Sequence, residues 1–383
     1  MVRGLCHLPH RYTLGWSNIY KYRMFIREFL TEAIKARIDH PEDLVWQHGS
    51  DGVKKAVAAL QYVASNPSSA TLKFDGSPAL IAGRDMNGAL IVTDKSGFGA
   101  TKYDGKPKSQ QELFTMLYSR FPDQPGRKEF ATETASLWPL FEKSIPADFR
   151  GYYQGDLMYV GVPPIVSGNY VFSPNKIKYS VPINSDLGQK IGASQAGFVV
   201  HSFYQNEFIK EPEAIEGTAD INHIPEFLIL DSIHLQSPAI NIKLNVPDTT
   251  GIDQFLDPIA LKNEKISDLK KLFGKYAASM AANGQTSYAD APKAFMSMVT
   301  PRMKEWIDSH YNGYIRLWAA MAKIAVMKRY IKSELDKTPP SGINATLNGK
   351  PGNEGYVAAT PSGKIKLVDR NEFMRNYDNL SDN

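Results

Sequence analysis

Two stretches of strand-like sequence, split by a long helical one, set the terms for any fold this chain adopts. From Thr71 to about Leu235, short runs rich in branched and aromatic residues are separated by Gly, Pro, Asn and Asp. Ala89-Leu90-Ile91-Val92-Thr93, Gly151-Tyr152-Tyr153 and Glu226-Phe227-Leu228-Ile229-Leu230 are examples. From about Leu256 to Lys337 apolar residues recur at helical spacing instead: Leu269, Leu272 and Tyr276, then Phe295, Met298, Met303 and Trp306, then Tyr314, Leu317, Met321 and Ala325. Pro339-Pro340-Ser341-Gly342 ends that block, and strand-like sequence resumes. A chain of this kind is expected to be α+β, with mostly antiparallel sheet and a helical insertion.

A further helical region precedes the sheet. Phe25, Phe29 and Ile34, then Val53, Val57, Leu60 and Val63, follow helical spacing up to Asn66-Pro67-Ser68-Ser69. The expected organisation is an N-terminal extension and helical region over 1–66, a core in two parts over 67–255 and 341–383, and the helical insertion over 256–340.

Composition narrows the class. With 383 residues, 43% of them hydrophobic, the chain can bury a sizeable core without staples. A single cysteine, Cys6, excludes a disulfide framework and a cysteine-built zinc site. No apolar stretch approaches the roughly 18 residues of a membrane span, and the first 30 residues lack a signal-peptide core with its cleavage site, so a soluble protein without membrane partners is expected. A net charge of +4 permits nucleic acid as a partner without arguing for it.

Lys73-Phe74-Asp75-Gly76 closes the apolar run Ala70-Thr71-Leu72 and precedes Ala79-Leu80-Ile81-Ala82-Gly83. That puts a lysine where a strand opens into a cleft. Covalent nucleotide transfer needs an amine there to attack the α-phosphate of a nucleotide and expel pyrophosphate. Lysine ordinarily titrates near 10.4, so desolvation or nearby cations must favour its neutral form. Apolar neighbours and a glycine that permits close backbone approach suit Lys73 to the role. The plain alternative is a surface lysine in an Asp-Gly turn.

Its company favours the first reading. Tyr153-Gln154-Gly155-Asp156-Leu157, Gly197-Phe198-Val199-Val200, Glu354-Gly355-Tyr356-Val357 and Lys364-Ile365-Lys366-Leu367 follow in order. The series resembles the motif ladder of the covalent nucleotidyltransferases, the ATP-dependent DNA and RNA ligases and the mRNA capping enzymes. The resemblance implies an ATP-grasp-like adenylation core. It also implies an ATP-dependent polynucleotide ligase, acting on RNA before DNA, that forms a lysyl-AMP on Lys73.

By the same resemblance Lys364 and Lys366 grip the α-phosphate, although a second alignment uses Lys366 with Val368. Thr71, Leu72, Asp75, Gly76, Lys95 and Ser96 line the nucleotide site, and Phe198 stacks on the purine. Glu354 and Asp156 hold Mg²⁺, or Mn²⁺ in its place, with Asp156 also reaching the ribose. His201, in the strand of Phe198, reads as structural. The family element around Asp156 normally carries glutamate, one methylene longer. Ser77-Pro78 stands where many DNA ligases and capping enzymes have an arginine, which leans toward the RNA ligases. Only residues 371–383 follow Arg370, so no C-terminal OB domain is expected.

Met24-Phe25-Ile26-Arg27-Glu28-Phe29-Leu30-Thr31-Glu32-Ala33 resembles the capsid-targeting segment of internal proteins in T-even-like tailed phages, and the whole chain resembles an uncharacterised ligase-like family of such phages. This implies packaging through residues 24–33, with the cytoplasm of the bacterial host or the virion interior as location. Two alternatives stay open: a GTP-using capping-type guanylyltransferase, and a non-catalytic packaged or nucleic-acid-binding protein with a decayed nucleotidyltransferase fold. Phosphate-loop, Gly-x-Gly-x-x-Gly, His-Glu-x-x-His and Gly-x-Ser-x-Gly templates are absent.

Overall fold

The computed structural model describes residues 38–74, 76–208, 213–214, 218, 220–231, 235–237, 251–266, 269–282, 288, 290–347 and 349–369. Two units divide at Ile38, residues 1–38 and 39–383, and the second holds all that follows. The capsid-targeting resemblance at 24–33 and the site residue Asp75 lie outside the described residues.

Helix α1 (Asp43–Ser65) buries Val53, Val57, Leu60 and Val63, the residues whose spacing marks it in the sequence. It stops where Pro67 offers no backbone N–H to continue the ladder. Strands β1 (Ala70–Leu72), β2 (Ala79–Arg84) and β3 (Leu90–Asp94) follow, then helices α2 (Lys95–Phe98), α3 (Gln110–Ser119), α4 (Arg127–Ser136) and α5 (Trp138–Ser144). Next come β4 (Gly151–Val160), β5 (Ile165–Val166), β6 (Asn169–Phe172), β7 (Lys178–Pro182), helix α6 (Asp186–Ala193), β8 (Ala196–Tyr204), β9 (Glu213–Ala214) and β10 (Phe227–Leu230). The helical block comprises α7 (Ile252–Phe255), α8 (Pro258–Asn263), α9 (Leu269–Ala282), α10 (Ala291–Met296), α11 (Pro301–Ser309) and α12 (Tyr311–Asp336). β11 (Asn344–Leu347), β12 (Lys350–Pro351), β13 (Tyr356–Thr360) and β14 (Gly363–Leu367) complete the described chain.

Helices α3 to α5 interrupt the strand-like sequence between Thr71 and Leu235, where the short runs point to mostly antiparallel sheet. For α3 the cause is local and was readable. The Ser109 hydroxyl accepts from the Glu112 N–H at 3.2 Å, and the Glu112 carboxylate accepts from the Lys108 N–H at 2.7 Å. This is a reciprocal cap of the capping-box type, and Leu113, Met116 and Leu117 behind it form the buried stripe.

The described strands form three sheets, ordered β1-β13-β14, β10-β8-β4-β2-β3 and β12-β11-β7-β6-β5, with β9 beside β8. Pairing is antiparallel throughout these sheets except between β8 and β10. Strand β13 runs between β1 and β14, and β11 runs beside β7. The chain therefore returns after the helical block to finish sheets begun far upstream. That block is no separate body: Trp318, Phe273 and Phe295 share one hydrophobic cluster with Val53 and Leu60 of α1 and Leu72 and Tyr356 of the small sheet. A second cluster lies between the large sheet and α3 to α5, with Leu80, Val92, Leu117, Phe141, Phe198 and Phe227 among its members. Among the described residues, no helix is long and apolar enough to cross a membrane.

Candidate functional site

The small sheet sorts its residues by alternation. Thr71 lies opposite Val357 and Leu72 opposite Tyr356. Across the next ladder Tyr356 meets Leu367, Val357 meets Lys366 and Ala359 meets Lys364. Successive strand side chains point to opposite faces, so Ala70, Leu72, Tyr356, Ala358, Ile365 and Leu367 share one face, and all are buried. Thr71, Val357, Lys364 and Lys366 share the other. The Lys73 N–H donates to the Gly355 carbonyl at 2.9 Å, which extends the ladder one step and keeps Lys73 in line with Thr71.

There Lys73 Nζ lies 2.5 Å from Glu354 Oε2, across 281 residues of sequence. The two side chains are 31% and 14% exposed, so the pair is shielded but reachable. Glu354 is positioned by its neighbours. Asn353 Nδ2 and the Tyr356 hydroxyl donate to Asp336 Oδ1 at 2.9 and 3.0 Å, and Lys332 Nζ donates to Oδ2 at 2.7 Å. This ties the turn that carries Glu354 to the last residue of α12. Burial, reinforced by the Asp336 carboxylate, pushes the Tyr356 hydroxyl well above its ordinary range, so it stays a donor. Gly355 is required twice over: its φ is +139°, and a Cβ there would lie 2.5 Å from the Leu367 carbonyl oxygen.

Gly76 brings the turn after Lys73 down onto β4. A Cβ at Gly76 would come within 2.6 Å of both Asp156 Cβ and the Leu157 carbonyl oxygen, and the Ser77 N–H donates to that carbonyl at 3.2 Å. Gly76→Ala is thus expected to force backbone apart and cost about 1–3 kcal/mol. A denaturant titration against wild type would read it.

Asp156 sits in mid-sheet, opposite Ala79 on β2 and Val199 on β8. Its Oδ2 lies 3.9 Å from His201 Nε2. Asp336, Asn353 and His201 are the site residues that sequence reasoning missed. An Asn directly before Glu354 and a His three residues after Phe198 were the available signals, and neither says what it faces.

Two sequence assignments need correction. Leu72 is 3% exposed on the core face, so its side chain cannot line a nucleotide. Phe198 is 1% exposed and meets Phe141 edge-on at 5.4 Å. It lies on the large-sheet face turned away from Asp156, where its ring covers Gly155. Phe198→Leu is expected to lower stability by about 1–2 kcal/mol in a denaturant titration; a solvent-facing purine platform would show almost no change.

Thr71 faces the open side, its hydroxyl donating to the Val357 carbonyl at 3.1 Å. Lys95 and Ser96 are exposed at the start of α2. Asp94 caps that helix by accepting from the Gly97 N–H at 2.7 Å and is bound by Arg120 at 2.5 Å. Since Asp94 lies opposite Leu80, and Ala79 opposite Asp156, Lys95 follows at the same end of the sheet, two strands or roughly 10 Å from Asp156. The described residues hold no group of three or more His, Cys, Asp and Glu side chains suited to a metal.

A family model matches residues 36–109 and 140–272, more than half of the chain. The chain belongs to that family, a family of unknown function (DUF6267). In this DUF6267 member the matched region holds Lys73, Lys95, Asp156 and His201, while Glu354, Lys364 and Lys366 lie beyond it. No curated protein and no solved structure matches the chain.

Proposed function

We propose that this protein is an ATP-dependent polynucleotide ligase, or a related nucleotidyltransferase, working through a lysyl-AMP on an ATP-grasp-like core and taking RNA before DNA as acceptor. The observation that carries the reading is the 2.5 Å pair of Lys73 and Glu354 on a sheet face shared with Lys364 and Lys366. In the reaction Lys73 Nζ attacks the α-phosphorus. An N–P bond forms, the bond to the β-phosphate oxygen breaks, pyrophosphate departs and the amine gives up its proton to solvent.

An ammonium gripped by a carboxylate has no lone pair to offer, so the closed pair is the resting state and Glu354 must release Lys73 before attack. Glu354 and Asp156 would hold Mg²⁺, which suits a site of one or two carboxylates completed by phosphate oxygens. The cation would offset negative charge gathering on the phosphates. Lys364 and Lys366 supply fixed positive charge along the same face. Asp156 accepts a sugar hydroxyl from the neighbouring sheet.

Incubation with α-³²P-ATP and Mg²⁺ tests the reading: it requires a covalent, acid-labile label on the protein. Preference for GTP would move the assignment to a capping-type guanylyltransferase. A second reading, a non-catalytic binding protein with a decayed nucleotidyltransferase fold, is favoured by the burial of Phe198 away from the cleft. Nucleic-acid binding without label from any of the four nucleotides would establish it.

A further inference from the structure

We infer that a groove of about 420 Å³ beside the Lys73 turn holds an unpaired base at the end of the nucleic-acid strand to be joined. This rests on the nucleic-acid part of the function proposed above. Ser77 and Pro78 line the groove from the turn that follows Lys73, Phe130 and Thr134 line it from α4, and Phe172 and Ser173 from the end of β6. Two backbone bonds tie it to the candidate site. The Ser77 N–H donates to the Leu157 carbonyl at 3.2 Å, and the Leu157 N–H, one residue past Asp156, donates to the Pro78 carbonyl at 3.1 Å.

The lining suits a flat, uncharged group with polar edges. Thr134 is 1% exposed, and among the described residues its hydroxyl has no hydrogen-bond partner. A buried hydroxyl left unpaired is costly, and a base edge that pairs with it removes the cost. Phe130 adds an aromatic ring, the usual platform for an unpaired base. Charge is sorted to match. Glu133 is the only charged residue in the lining, so phosphate is kept out of the groove itself. Outside it the sign reverses: the Arg127 guanidinium lies 4.7 Å from the Phe130 ring and 5.4 Å from that of Phe121, which is 54% exposed. Lys128 is exposed beside it. Burial first, then repulsion from Arg120, lowers the Arg127 guanidinium from its ordinary range, while Asp94 opposes them. Two guanidinium groups thus share one carboxylate, and a phosphate would supply a second anion. A base inside and its phosphate outside fit this pattern, whereas a basic peptide drawn to Glu133 would meet Arg127 and Lys128 at the rim.

Fluorescence anisotropy of the full chain with short oligoadenylate RNA tests this without requiring catalysis. Each probe carries its dye at one end and either an intact or an abasic nucleotide at the other, and both polarities are used. In one polarity wild type should bind the intact strand about tenfold more tightly than the abasic one. Phe130→Leu keeps apolar volume but loses the ring, and should bring the intact strand down to the abasic affinity. Thr134→Val, nearly isosteric and so safe for folding, should weaken the intact strand about threefold and leave the abasic one unchanged. Equal affinity for intact and abasic strands in both polarities, a gap that survives Phe130→Leu, or no binding of RNA at all would overturn the inference. Failure of the ligase reading looks different: RNA binds with the expected gap, yet α-³²P-ATP leaves no covalent label.

Discussion

Lys73→Ala should take up no covalent label from α-³²P-ATP, at least about a thousandfold below wild type, because the substitution removes the atom to which the nucleotide is bonded. The control lies in its surroundings. Lys73 stands on the open face of the small sheet, and its ion pair with Glu354 is partly exposed. Breaking a pair of that kind costs about 1 kcal/mol or less, so the variant should melt close to wild type. Lys73→Arg keeps the charge and should also stay unlabelled, since a guanidinium does not deprotonate in the working range. Labelling of either variant at the wild-type level would remove Lys73 from the mechanism.

The second large effect concerns stability. Lys328 on α12 donates to Glu42 Oε1 at 2.5 Å, and its Nζ lies 3.3 Å from His40 Nδ1. Both Lys328 and Glu42 are buried, at 3% and 2% side-chain exposure, and among the described residues Glu42 Oε2 has no hydrogen-bond partner. Lys328→Ala would leave a carboxylate in the interior without this cation, at a cost of about 3–5 kcal/mol. Replacing both partners at once, Lys328→Met with Glu42→Leu, should recover most of that loss, because an apolar pair carries no desolvation penalty. Denaturant titrations of the single and double variants give the comparison. A double variant as unstable as the single one would mean that packing around α12, and not the stranded charge, sets the cost.

The buried pair also bears on the site. The Asp39 carbonyl, just before His40, accepts from the Lys366 N–H at 3.0 Å, and Arg329, beside Lys328, lies 3.7 Å from Asp369. Loosening α12 against the start of α1 would therefore weaken the support of β14 at its outer edge and just past its end, the other edge being paired with β13.

Much of the architecture was legible in the sequence wherever a local cause sufficed. Helix α1 follows from Val53, Val57, Leu60 and Val63 and from the proline that ends it. Helix α12 follows from Tyr314, Leu317, Met321 and Ala325. Helix α3 was legible too, through the Ser109 cap, although short branched runs flank the helical stretch on either side. By contrast, the Phe295 to Trp306 stripe spans two helices: Pro301 opens α11 with Thr300 as its cap, so one stripe became two elements. The sharing of one core by α1, the helical block and the small sheet could not be read locally, because it depends on which distant apolar faces meet.

For the site, the sequence by itself determined that Lys364 and Lys366 point the same way, since two residues apart on a strand they must. Tertiary structure decided the rest. Pairing of β1 with β13 set Lys73 against a carboxylate 281 residues away. Pairing of β4 with β8 set His201 3.9 Å from Asp156, and Phe198 stayed in the core. Alternation gives two faces to every strand but does not say which one is buried; only the register and the neighbouring layers do.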